Sequence, residues 1–282
     1  MEKVGKTHVF SYFDEIQEIR KATNVQIRGG AGHAVSSYME LAKKVADLQF
    51  HNRDYVLLFR GQGNDYKNRL RNTTLKPTLF RASAGRGVDP PDQFELSQRF
   101  DRLAVCERDL AETFEREQIT GRQRIARYRI LRWSILQHYE VCATPLLDVS
   151  QSIRVAASFA SFGARGDAFF YVLAVPNISG AVTASAEAGL QVIKLAGICP
   201  PDAVRPHIQE GFLLGEYPEM PDFDQKRYYA PYEIDFGRRL IAKFRLDLRR
   251  FWSDPNFTKI EHEALYPNLH DPLLNLLKNL GS

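Results

Sequence analysis

Three short stretches place polar side chains where chemistry can be done. In "YVLLFRGQ", residues 55–62, four apolar residues (Val56, Leu57, Leu58 and Phe59) run straight into Arg60, Gly61 and Gln62. A guanidinium fork at a cleft suits a phosphate, and a glycine beside it lets backbone or ligand approach closely. The plainer alternative is an edge-strand arginine paired to a carboxylate. In "LQHYEVCATPLLDVSQSIRVAASFA", residues 136–160, His138 falls on an apolar helical stripe with Tyr128, Leu131 and Ile135. A histidine there is more often a hydrogen-bonded core residue than a catalyst. Asp148, Ser150 and Ser152 follow, just ahead of a small-residue helix. Any of the three can cap that helix, and a helix N-terminus is also an anion site. In "RPHIQEGFLLGEYP", residues 205–218, Gln209 and Glu210 precede Gly211 and Phe212. Glu210 is by base rate a surface glutamate. Brought near Arg60, it becomes a candidate for stabilising positive charge on a substrate.

The elements that must position these groups follow from periodicity and punctuation. Residues 11–23 and 36–50 read as amphipathic helices, the second capped by Ser36 or Ser37 with Glu40 spaced for a capping box. Residues 54–60 read as a strand that ends at Arg60. Residues 82–92, "ASAGRGVDPPD", read as a mobile loop. Helices are expected over 93–117 and 122–139, broken near Thr120-Gly121, and over 151–162. Residues 168–175 and 191–198 are strand-like. "AKFRLDLR", 242–249, alternates: Phe244, Leu246 and Leu248 share one face, and Lys243, Arg245, Asp247 and Arg249 the other. In the last segment Asp271 is placed as an N-cap and Pro272 as the first helical residue. The order predicts an α+β fold rather than regular βα alternation. "GGAG" at 29–32 therefore makes a poor dinucleotide fingerprint.

Composition narrows the classes. The chain has 282 residues, 44% hydrophobic and 26% charged, enough to bury a real core. No apolar run approaches the ~20 residues of a membrane span. No signal-peptide core is visible at the start, and three scattered cysteines (Cys106, Cys142, Cys199) fit neither a disulfide framework nor a zinc spacing. A cytoplasmic protein without a metal site is expected. The net charge of +4 and pI of 8.9 are mildly favourable to anionic ligands. Residues 122–132, "RQRIARYRILR", hold five arginines and no acid, but these spread around the helix and favour scattered pairing over groove reading.

Taken together, "LLFRGQ" with "LKPTLFR", the 136–160 stretch, "IQEGFLLG" and "EALYPNLHDPLLNLLKNL" resemble the FRG domain family over roughly residues 36 to 280. The family's middle motif is His-Tyr-Gly-x-x-Thr-x-Leu-Leu-Asp-x-(Thr/Ser). Here His138, Tyr139, Thr144, Leu146, Leu147, Asp148 and Ser150 match, and Glu140 replaces the glycine. The later Gln-x-Gly-x-Phe motif matches at Gln209 and Gly211, with Leu213 at the aromatic position and Phe212 one place early. The resemblance implies an N-terminal extension over 1–35 and an FRG domain over 36–282 with a helical insertion at about 91–139.

The motif order in turn resembles the arginine-serine-glutamate branch of the ADP-ribosyltransferase fold. That likeness implies a mixed, largely antiparallel sheet core with flanking helices. It also implies roles. Arg60 would hold NAD phosphates or ribose, with Gly61 giving the cofactor room and Gln62, His138, Thr144, Asp148 and Ser150 as further cofactor-binding contacts. Ser150 (or Asp148) would brace the nicotinamide pocket, and Gln209 or Glu210 would take the catalytic glutamate's place. The function so implied is an NAD-dependent ADP-ribosyltransferase, a toxin or anti-phage effector with a protein or nucleic-acid acceptor and a partner protein or antitoxin. The alternative is a non-catalytic module that binds NAD, ADP-ribose or another nucleotide and signals to a partner. A third reading is a nucleic-acid-binding protein using the arginines of 122–132, with strongly salt-dependent binding.

Overall fold

Eight strands form the central sheet of this computed structural model, in the order β3-β10-β6-β4-β5-β9-β8-β7. The strands are β1 Val9–Ser11, β2 Arg20–Ala22, β3 His33–Val35, β4 Val56–Gln62, β5 Leu147–Ser150, β6 Asp167–Val175, β7 Val182–Ser185, β8 Leu190–Lys194, β9 Gly211–Glu216 and β10 Leu240–Asp247. The structure describes all residues except 6–7, 14–15, 84–86, 88, 165, 202, 221, 227–233, 268–269, 279 and 281–282. Part of the expected loop 82–92 and of the segment before Asp271 thus lies outside the described residues. β3 pairs parallel with β10, and the other neighbours in the sheet run antiparallel. The fold is a mixed α+β one with a mostly antiparallel sheet.

Within the first 35 residues, one strand belongs to this sheet. β3 is its edge strand, and the buried Asn24 amide donates to the carbonyls of Gly237 and Leu240. The helix expected over 11–23 does not form. β1 and β2 pair instead, and Asn52 supplies the other edge of β1, accepting from the Phe10 N–H and donating to the Phe10 carbonyl. Tertiary hydrogen bonding outweighs the helical spacing there. Thr23 then caps a short helix, α1 Asn24–Gly29.

Helix α2, Tyr38–His51, starts at Ser37, whose hydroxyl accepts from the Glu40 N–H. Glu40 reaches back to Ser36 rather than to the cap residue. Helix α3 (Gln93–Arg116) is capped by Asp92, and Gly121 at φ 91° turns the chain into α4 (Arg122–Arg127). The expected helix 122–139 is split at Tyr128, where α5 (Arg129–His138) begins. The arginines of this stretch pair locally: Arg122 with Glu115, and Arg129 and Arg132 both with Glu107. Helix α6, Ile153–Ser161, follows β5 with Ser152 as its cap. The strand-like segment 191–198 divides into β8 and a helical turn, Leu195–Ile198. Asp271 and Pro272 open the closing helix Pro272–Leu277 as expected.

Two apolar clusters sandwich the sheet. Leu41, Val45 and Leu48 of α2 and the alanines of α6 pack with β4, β6 and β10. Phe100, Leu110 and Phe114 of α3, with Trp133 of α5 and Leu273 of the closing helix, pack toward β8 and β9. Lys243, on the polar face of β10, is buried, while Arg245 and Asp247 further along stay partly exposed. Arg60, Tyr171 and Lys243 lie side by side across β4, β6 and β10. The loop after β4 covers this row: the Lys243 ammonium is buried against Asp65 at 2.8 Å and Thr73 at 2.8 Å.

Candidate functional site

β4 runs two residues further than its composition suggests, so Arg60 and Gly61 sit inside the strand and not at its end. Gly61 faces α6. A Cβ there would stand 1.8 Å from the Ala156 carbonyl oxygen and 2.5 Å from the Ala160 nitrogen. The glycine is thus required by helix-on-strand packing, a reason the sequence did not show, although its backbone also lines the cavity described next. Arg60, next to it, points the opposite way, since side chains alternate along a strand.

β4 and β5 pair at one position, Phe59 with Ser150, and a cavity of about 230 Å³ opens there. Arg60, Gly61, His138, Asp148, Ser150 and Gln209 line it, three separated parts of the sequence brought to one place. Gln137, Glu140 and Tyr266 line it too.

Asp148 is the centre of the polar wiring. Its carboxylate accepts from the Gln137 amide at 2.6 Å and lies 3.8 Å from the His138 Nδ1. Its backbone carbonyl accepts from a terminal nitrogen of Arg60. Burial alone would raise the acid's pKa. Contact with His138, the Arg60 charge and the Gln137 hydrogen bond outweigh that and hold it below the ordinary aspartate value. Burial, and then repulsion from Arg81, brings Arg60 down to about 10, opposed by Asp148. Both groups are therefore charged at neutral pH. Among the described residues, the Arg60 Nε and the His138 Nε2 are buried without a hydrogen-bond partner. Such groups are costly unless a ligand or water satisfies them.

The other expected residues divide. Ser150 is buried; its hydroxyl donates to the Gln209 carbonyl at 2.8 Å and accepts from the Ser152 N–H at 3.0 Å. Gln209 is buried with its amide committed to the Leu265 carbonyl at 2.8 Å. Gly211 lets Leu195 and His138 close in, for its Cβ would meet Leu195 at 2.8 Å. Thr144 does not reach the cavity. It is fully buried, with its hydroxyl donating to the Gln137 Oε1, and so orients the side-chain amide that holds Asp148. Gln62 lines a second cavity, not this one. Glu210 is a correction of substance: it is exposed, its backbone sits at φ 45°, and it is not among the cavity's lining residues. Gln209, the C-cap of the Arg205–Ile208 turn, is held inward by Leu265 and Ser150, and Glu210 follows it in the left-handed turn that leads into β9.

Three contributors escaped sequence reasoning. Gln137 carries no spacing signal, and Tyr266 sits in an irregular segment. Tyr266 is pushed up to about 12, by burial first and then by the charges of Glu140 and Asp148. Glu140 had a signal: it stands where the FRG motif has glycine, and its φ of 57° is the left-handed region that glycine favours.

Residues 56–167 match the family model of the FRG domain. That stretch of the chain is an FRG domain. It takes in Arg60, Gly61, Gln62, His138, Thr144, Asp148 and Ser150, and ends before Gln209 and Glu210, short of the 36–280 span of the resemblance. No curated protein and no solved structure matches the chain. Among the described residues no cluster of three or more His, Cys, Asp or Glu is placed to hold a metal, and no helix is long and apolar enough to cross a membrane.

Proposed function

We propose that this chain binds NAD, or a related nucleotide, in the cavity at Arg60 and breaks the ribosyl bond there as an ADP-ribosyltransferase. The observation that carries this reading is Asp148. It is a carboxylate kept ionised in a small cavity between a guanidinium and an imidazole. Cleavage of a ribosyl bond passes through an oxocarbenium-like state, which an adjacent carboxylate stabilises. The C1′–N bond breaks, neutral nicotinamide leaves with the bonding pair, and an acceptor hydroxyl or amine takes the cation and loses a proton. Asp148 assumes the charge-stabilising role that sequence reasoning gave to Glu210 or Gln209. Arg60, through its unpartnered Nε, anchors a phosphate. A preorganised pair of this kind needs no reorganisation as charge develops.

A specific observation favours a second reading. Glu210 is exposed and does not line the cavity, and the Gln209 amide is tied to Leu265. In that reading the chain is a non-catalytic nucleotide-binding module. Incubation with labelled NAD and cell lysate separates the two. Nicotinamide release with labelled protein or nucleic acid is expected from the first, and tight binding with no turnover under any acceptor would leave only the second.

A further inference from the structure

The cavity at Arg60, about 230 Å³, is below the ~300–1,000 Å³ typical of small-molecule sites; it has room for the ribosyl end of a dinucleotide, whose remainder must extend beyond it. A larger cavity of about 680 Å³ lies beside it. Gln62 lines that second cavity from the same face of β4 as Arg60, two residues and therefore about 7 Å along the strand. Lys67, Lys76, Arg81 and Tyr66 form much of the rest of the wall.

The wall is rigid and its charge is unbalanced. Asp65, the lining carboxylate, is already spent: it accepts from Lys243 at 2.8 Å, from Thr73 at 2.7 Å and from the Tyr171 hydroxyl at 3.2 Å. Lys67 stands 3.7 Å from it. The loop carrying these groups is pinned by the Thr74 N–H on the Tyr66 carbonyl and by a turn closed on Asn68. Arg81 is held by its Nε on the Lys76 carbonyl at 2.9 Å. Among the described residues its terminal nitrogens have no hydrogen-bond partner, nor does the Lys76 ammonium. Arg81 also repels Arg60 and attracts Asp148 across the boundary between the two cavities. Lys76 feels the Asp235 charge and Arg81 that of Asp148, but among the described residues neither head group is hydrogen-bonded to a carboxylate, and two such cations at the wall of a cavity favour an anion there. The Gln62 Oε1 is buried without a partner and can accept a donor from a ligand. The Tyr66 ring, 58% exposed, offers a stacking surface at the rim.

We infer that the second cavity is a nucleoside-phosphate site: Arg81 and Lys76 take a di- or polyphosphate, Tyr66 stacks on the base, and Gln62 accepts from it. This rests on the reading of the first cavity as a ribosyl site only in assigning which half of one nucleotide goes where. The shared chemistry, phosphate plus base, can come from a free nucleotide or from a nucleic-acid strand.

The test uses ADP, which lacks nicotinamide, with the full-length protein. Calorimetric titration of wild type with ADP should show one site per chain. In the double variant Lys76→Met/Arg81→Gln affinity should fall at least about tenfold, as for loss of hydrogen bonds to charged groups. Tyr66→Ala, at an exposed position, should weaken ADP but leave inorganic pyrophosphate binding intact. Thermal melts of both variants should match wild type. If ADP binding is retained in the double variant, or ADP does not bind wild type at millimolar concentration, the inference falls. If ADP binds at this cavity but NAD is never consumed, the inference stands and the transferase reading falls. A short single-stranded oligonucleotide that displaces ADP, with loss of binding in the same variants, identifies a strand as the source; failure to displace identifies the free nucleotide.

Discussion

A methyl group on Gly61 would stand 1.8 Å from the carbonyl oxygen of Ala156. The contact is with helix backbone, which cannot swing aside as a side chain can, so α6 seats directly on β4 at this point. Gly61→Ala is expected to lower stability by ~2 kcal/mol or more, the upper end for overpacking a tight core. Urea unfolding checks this. A midpoint equal to wild type would show that α6 can lift off the strand without cost.

Arg60→Lys keeps the charge and loses the planar fork. The lost terminal contact to the Asp148 carbonyl is one lysine can remake, so the variant should fold. Affinity for NAD or ADP-ribose should drop by ~1–3 kcal/mol, the range for a hydrogen bond to a charged group. Titration calorimetry reads the difference, and equal affinities would remove the phosphate-anchoring role.

Asp148→Asn and Glu210→Gln discriminate between the carboxylates. The first keeps size and hydrogen bonding but removes the charge that matters as the cation develops. Turnover of NAD should fall at least ~100-fold with affinity nearly intact. Glu210→Gln should be almost silent, because Glu210 is exposed and outside the cavity. The reverse pattern would return the role to Glu210 and refute the assignment to Asp148.

Asp148 also predicts the acid limb of stability. Its folded pKa lies below the unfolded value, so its contribution is present above about pH 4, the unfolded aspartate range, and is lost as pH falls through the lower folded value. Asp148→Asn should therefore lose less stability than wild type between neutral pH and pH 3. Parallel curves of unfolding free energy against pH would contradict the depressed pKa.

Glu140 occupies a left-handed conformation at φ 57° on the cavity wall. A side chain there costs ~1–2 kcal/mol, of which glycine would return part after its larger unfolded-state entropy. Glu140→Gly should raise stability by ~0.5–1 kcal/mol, read as a higher thermal midpoint. A lower midpoint would mean that the glutamate makes a compensating contact.

Much of the scaffold was legible in the chain because it depends on neighbours in sequence. The cap at Ser37, the break at Gly121 and the Asp271-Pro272 start are local backbone chemistry. So are the apolar runs of β4, β6 and β10, though their ends shifted by a residue or two. The motif residues Arg60, His138, Asp148, Ser150 and Gln209 could be picked out as a set, and they line one cavity. Their geometry could not be read. Periodicity tells which residues share a face but not what covers it. Lys243 was placed on a polar face that the loop after β4 seals with Asp65. Sequence offers no sign that a helix from residues 153–161 packs its backbone on Gly61. Gln209 and Glu210 were interchangeable in sequence. Only the hydrogen bonds from Ser150 to the Gln209 carbonyl and from the Gln209 amide to Leu265 decided which turns inward. Those partners lie 59 and 56 residues away, and contacts at such separation exist only once the sheet has closed.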